Sequence, residues 1–122
     1  MSLQEFIEFM LTLGPVTYDT PFDEDTLVFR IGGKLFLLTN FSDWESGEPK
    51  CNIKAKPEDV LEYIATYSFV NPGYHMNKKH WITVQLNETK NLNLIKTWIA
   101  NSYNLVYKGL TVKQKLEIEA NK

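Results

Sequence analysis

Cysteine is almost missing from this chain: Cys51 stands alone in 122 residues, so no internal disulfide can form and a secreted cystine-rich scaffold is excluded. No apolar run approaches the ~20 residues that span a bilayer, so no membrane association is expected. The first residues lack the basic stretch of a secretory signal, and Glu5 and Glu8 interrupt their apolar run, so a cytoplasmic address is expected. There is no GxSxG, no GxxxxGK[ST] and no GxGxxG, which leaves nucleophile-elbow, P-loop and dinucleotide chemistry without a motif. Gly32-Gly33-Lys34 joins two strand-like runs and opens no helix, so it reads as a hairpin turn and not a phosphate loop. No enzymatic function and no cofactor is expected. There is also no helix rich in arginine, no internal repeat and no low-complexity segment.

What is present describes one ordinary folding unit. Hydrophobic residues make up 43% and charged residues 23%, a balance that argues against disorder. Seven Phe, six Tyr and three Trp supply enough large side chains for one core, and a single domain over 1–122 is expected. The net charge of −2 counts against nucleic-acid binding, yet the charge is unevenly spread. Residues 1–50 carry −6 and residues 51–122 carry +4, so folding either segregates a basic and an acidic face or averages them out.

Periodicity predicts the elements. Ser2 and Glu5 form an S-x-x-E capping box, and Leu3, Phe6, Ile7, Met10 and Leu13 recur at helical spacing until Gly14-Pro15, predicting a helix over about 3–13. Residues 16–25 read as an irregular acidic connection. Thr26–Ile31 and Lys34–Thr39 flank Gly32-Gly33 as a two-residue hairpin, which predicts Phe29 opposite Phe36 and Leu27 opposite Leu38. Leu27, Phe29, Phe36 and Leu38 would then form the core face, and Val28, Arg30, Leu35 and Leu37 the mixed one. Residues 42–49 read as a polar loop. Lys50–Lys54 alternates, with Cys51 and Ile53 on one side and the lysines on the other. Pro57 begins a helix with Val60, Leu61, Ile64 and Ala65 on its apolar face, and Asn71-Pro72-Gly73 breaks it. A fourth strand over 80–86, a long helix over about 91–103 and a short helix capped by Thr111 and Gln114 complete the chain. The order α-β-β-β-α-β-α with tight connections predicts an α+β two-layer sandwich, an antiparallel sheet with helices on one face.

Site candidates are few. His75, His80 and Cys51 lack the spacing of a metal site, and no metal is expected; Cys51 reads as a small core residue without a catalytic role. Asp19, Asp23, Glu24 and Asp25 read as a solvated acidic loop. The segment Asn71–Trp81, NPGYHMNKKHW, is different: a turn, two aromatics, two histidines, an asparagine and adjacent lysines are the side-chain types of phosphate contact and base stacking. The plainer reading is a loop whose Tyr74 and Trp81 pack on the core while its lysines are solvated.

PGYHMNKKHW resembles the signature of the MmcQ/YjbR-like family, small bacterial proteins described as DNA-binding. Pro21-Phe22, Asp25–Arg30, Gly33–Phe36, Lys50-Cys51, Val84–Leu86 and Asn101–Val106 match the same pattern in order, so the resemblance spans about residues 3–118. Ile82 departs from it, since the family often has a polar residue there. The resemblance implies a CyaY-like α+β fold, no enzymatic reaction, and binding to double-stranded DNA through two wings, the Gly32-Gly33 hairpin and the 73–80 loop. The residues it nominates are Arg30, Lys34, Lys50, Lys54, Tyr74, His75, Asn77, Lys78 and Lys79. A monomer is expected. The competing reading is a protein-interaction or structural module whose partner the sequence does not name.

Overall fold

Eleven elements follow one another in the computed structural model, whose described residues are 1–120: α1 (Leu3–Leu11), β1 (Thr17–Asp19), β2 (Thr26–Ile31), β3 (Lys34–Asn40), α2 (Phe41–Glu45), β4 (Lys50–Lys54), α3 (Pro57–Thr66), β5 (Val70–Pro72), β6 (Trp81–Gln85), α4 (Leu92–Lys108) and α5 (Val112–Ala120). Residues 121–122 of the expected domain lie outside the described residues. The strands form one antiparallel sheet in the order β1-β2-β3-β4-β6-β5. One core unites Phe6 and Met10 of α1, Val60 of α3, Ile95, Trp98 and Ile99 of α4 and Ile118 of α5 with Phe29, Leu37, Ile53, Ile82 and Val84 of the sheet. The fold is therefore the expected α+β sandwich with helices on one face.

Local chemistry explains most of the elements. Ser2 and Glu5 make the capping box of α1 in both directions, at 3.1 Å each. Thr111 and Gln114 do the same for α5, with bonds of 2.8 and 3.1 Å. Gly32 and Gly33 adopt φ of 58° and 79°, as the two central residues of a type I′ turn must. Helix α4 runs five residues beyond the expected end, because Val106 continues its buried stripe.

Several expectations are corrected. The 16–25 connection contains β1, three exposed residues that pair along β2, with Asp19 held by Arg30 at 2.5 Å. The 42–49 loop begins with α2, whose N-terminus is capped from afar: Asp25 Oδ1 accepts from the Ser42 amide at 2.8 Å. Val70–Pro72 is an edge strand on β6, where a proline costs no ladder bond if its missing N–H would face solvent. Leu61 is 73% exposed, so α3 buries a narrower stripe than its sequence suggests.

The hairpin register is the main correction. Ile31 faces Lys34, as a two-residue turn requires, but Phe29 faces Leu37, Val28 faces Leu38 and Leu27 faces Thr39. A β-bulge sets Phe36 and Leu37 together against one residue of β2, and both point into the core. Beyond the bulge every side chain of β3 changes face. Leu37 joins the core, while Leu38 pairs with Val28 on the opposite side of the sheet.

Candidate nucleic-acid interface

The helices leave the second face of the sheet uncovered by the main core, and strand alternation decides what it displays. On β4, Cys51 and Ile53 enter the core, so Lys50, Asn52 and Lys54 face outward. On β6, Ile82 and Val84 enter the core, so Trp81, Thr83 and Gln85 face outward. Arg30 lies on the same side, two residues from Val28. Asp19, Val28, Leu38, Asn52, Thr83 and Asn71 form one continuous row across all six strands.

Pairing also fixes which ends of the strands meet. Ile31/Lys34, Lys54/Trp81 and Pro72/Ile82 are paired near one end, so the Gly32-Gly33 turn and the 73–80 loop project from the same end of the sheet. The centres of the two loops are three strand spacings apart, or ~14 Å at ~4.8 Å per spacing. That end gathers Lys34, Lys54, Lys56, Lys78 and Lys79, with Lys54, Lys56 and Lys108 around a 240 Å³ hollow that Asp59 also lines. Asp25, Asp43, Glu45 and Glu48 lie at the opposite end, beside α2. The uneven charge of the sequence thus becomes a partial gradient along the strands, with Glu58, Asp59 and Glu117 as exceptions at the basic end and Lys50 at the acidic one.

The 73–80 loop is tightly built. Gly73 is buried, and a Cβ there would approach that of Trp81 to 2.8 Å. The Tyr74 amide donates to Thr83 Oγ1 at 3.0 Å, Asn77 Oδ1 accepts from the Lys79 amide at 3.0 Å, and Lys78 Nζ donates to the Gly73 carbonyl at 3.2 Å. His75 takes a φ of 58°, and its ring lies 4.0 Å from that of Tyr74, which is 69% exposed. The loop is thus held through backbone bonds while Tyr74, His75, Asn77, Lys78 and Lys79 face solvent.

The nine nominated residues divide into three groups. Five lie on this loop, Lys34 lies on the other turn, and Arg30, Lys50 and Lys54 lie on the outward sheet face. Among the described residues, Arg30 is committed to Asp19 at 2.5 Å and Lys50 lies 3.9 Å from Asp43; the other nominated lysines have no carboxylate within 4 Å. Arg30 and Lys50 are therefore the least available for phosphate.

Reasoning from sequence missed a polar cleft on the outward face. It has a volume of about 480 Å³ and is lined by Asn40, Lys50, Asn52, Asn71, Tyr74, Thr83 and Gln85, with Asp25, Ser42 and Asp43 at one end. Thr83 donates to Asn52 Oδ1 and accepts from the Tyr74 amide, which joins the cleft floor to the loop. Asn52 and Thr83 are 9% and 8% exposed. The signal was Asn52, an amide between two apolar strand residues on the side assigned to solvated lysines. Asp25 accepts from the Ser42 hydroxyl and amide and from Asn40, which holds its carboxyl below the usual range. Cys51, on the other side of β4, is buried, and desolvation pushes its thiol up to about 12. Among the described residues no three of His, Cys, Asp and Glu gather as a metal site, and no helix is long and apolar enough to cross a membrane.

The chain is similar to known proteins in sequence and, for two solved structures, in fold. A family model described as YjbR matches residues 11–105. The uncharacterised protein YbdF of Escherichia coli O157:H7 is 40% identical over 98 residues, which cover 80% of this chain and 78% of that protein. The crystal structure of Deinococcus radiodurans protein DR2400, with a family-model domain called DUF419, superimposes with a TM-score of 0.84 at 31% identity, covering 97% of this chain and 88% of that one. A Pseudomonas syringae protein superimposes with a TM-score of 0.72 at 29% identity, covering 86% of this chain and 98% of that one.

Proposed function

The chain belongs to the YjbR family, and from that premise we propose that it is a non-enzymatic, cytoplasmic DNA-binding domain that grips the phosphate backbone with two wings. The observation that carries the reading is the common end of the sheet shared by the Gly32-Gly33 turn and the 73–80 loop. Their ~14 Å separation is close to the ~12 Å width of a major groove, so both loops can reach the walls of one groove. Lys34, Lys78 and Lys79 are exposed on these loops and Lys54 lies between them, which suits point contacts to phosphate. Arg30 and Lys50 have an auxiliary role, since their charges are already partly balanced.

Replacing Lys34 or Lys79 by Ala tests the reading. Both side chains are exposed, so the variants should fold as the parent does. Each should weaken binding to all duplex sequences alike and reduce the magnitude of the log-affinity versus log-salt slope by about 1. Unchanged slopes in both variants would remove the wings from the interface and favour a protein-docking role for this end.

A further inference from the structure

We propose that the cleft on the outward sheet face holds an unpaired nucleobase, so that the domain also takes single-stranded nucleic acid with one base turned into the sheet. This inference rests on the nucleic-acid reading above and adds a second form of ligand to the duplex that the wings grip.

The floor of the cleft carries the first argument. Asn52 is more than nine-tenths buried, and its carboxamide oxygen is occupied by Thr83. Its carboxamide nitrogen donates to no group among the described residues, yet it is not sealed from solvent. A donor so placed is met by water in the open cleft, and an entering acceptor can take that water's place. Asn71 and Gln85 add two further carboxamides on neighbouring strands with no side-chain partner among the described residues. Carboxamides pair a donor with an acceptor in one plane, the same pattern that a base edge presents.

The walls carry the second. Tyr74 stands at the rim, exposed, with its backbone fixed to Thr83 on the floor, so an aromatic face and a hydrogen-bonding floor are coupled through one side chain. Aromatic faces of this kind stack bases without regard to sequence. Charge then orients the ligand. Asp25 and Asp43 close one end of the cleft, where Lys50 offsets one of the two charges, while the Lys78 ammonium sits on Gly73 beside Tyr74 just beyond the other end. A nucleotide therefore enters with its base toward Asn52 and its phosphate toward the basic end. A base within a duplex cannot offer its pairing edge in this way. The volume of about 480 Å³ is in the range of small-ligand sites, ~300–1,000 Å³.

The experiment titrates the whole chain with short oligothymidylate and oligodeoxyadenylate single strands, with the duplex they form, with adenosine, and with ribose, following backbone amides by NMR. The expected result is that single strands bind as well as the duplex, and that adenosine alone shifts the amides of Asn52 and Thr83 while ribose does not. Asn71→Ala with Gln85→Ala should weaken single-strand binding about tenfold, the scale of one lost base contact, and leave duplex binding within about twofold. Tyr74→Ala should weaken single-strand binding by a similar factor. If the duplex binds in a Lys34- and Lys79-dependent way but the cleft variants bind single strands as the parent does, the inference is overturned and the wing reading stands. If adenosine leaves the Asn52 and Thr83 amides unmoved, or ribose moves them equally, the cleft is not a base site. If no DNA of either form binds at low salt, both readings fall together.

Discussion

Leu37 and Leu38 are adjacent, alike and both largely buried, yet the bulge at Phe36 gives them opposite roles. Leu37 is fully buried in the core between the sheet and the helices, whereas Leu38, 8% exposed, borders the open cleft. Removing three carbons from either side chain forfeits about 2.4 kcal/mol of transfer free energy at ~0.8 kcal/mol per methylene. At Leu37 the sealed cavity adds to this, so Leu37→Ala should cost about 3–5 kcal/mol, and Leu38→Ala about 2 because water can fill the space. Lysine separates them further. Leu37→Lys places an ammonium where desolvation costs several kcal/mol and should leave the chain unfolded. Leu38→Lys can lift its charge out along the cleft and should cost only about 1–2 kcal/mol. Urea unfolding followed by tryptophan fluorescence measures all four variants. If Leu38→Lys proves the more damaging, the strict alternation without a bulge is the true register and the faces assigned to β3 are reversed.

Other perturbations probe separate parts of the fold. Gly32→Ala should destabilise, since the residue sits at φ 58° and its new Cβ would approach Leu110 to 2.8 Å; a melting temperature equal to the parent's would contradict the packing of the turn on Leu110. Cys51 should stay unmodified by a thiol reagent at neutral pH in the native protein, because burial raises its thiol to about 12; rapid labelling without unfolding would place it elsewhere. Glu5, Asp23 and Asp25 all have carboxyls lowered by hydrogen bonds they accept, from Ser2, Thr26 and Ser42 respectively. Their stabilisation is therefore present above the ordinary carboxylate range and is lost as pH falls through the lowered values. Stability should drop between neutral pH and about pH 3, less so in Asp25→Asn, and a flat profile would refute these bonds.

Most of the architecture was legible because its signals are local. The capping boxes at Ser2 and Thr111, the helical spacing in α1 and α4 and the paired glycines of the hairpin each need only neighbouring residues to act. What escaped depends on distant partners. Helix α2 is capped by Asp25, which lies 17 residues away, and β1 and β5 are three-residue edges that exist only because β2 and β6 accept them. The bulge escaped for a related reason: two-residue turns set a register, but packing Phe36 and Leu37 together against the helices overrides it. At the candidate site the loop signature was visible in composition, whereas the cleft arises where β4, β5 and β6 bring Asn52, Asn71 and Thr83 side by side. No spacing in the chain encodes that meeting.

Titration of a generic DNA fragment with the parent protein across salt concentration asks whether the wing end of the sheet holds DNA through phosphate contacts. If Lys34, Lys54, Lys78 and Lys79 each neutralise one phosphate, log affinity should fall against log salt with a slope of about −3.6, which is roughly a 100-fold loss between ~50 and ~200 mM. An affinity that is the same at both salt concentrations, or no binding at the lower one, would mean that these lysines do not hold phosphate.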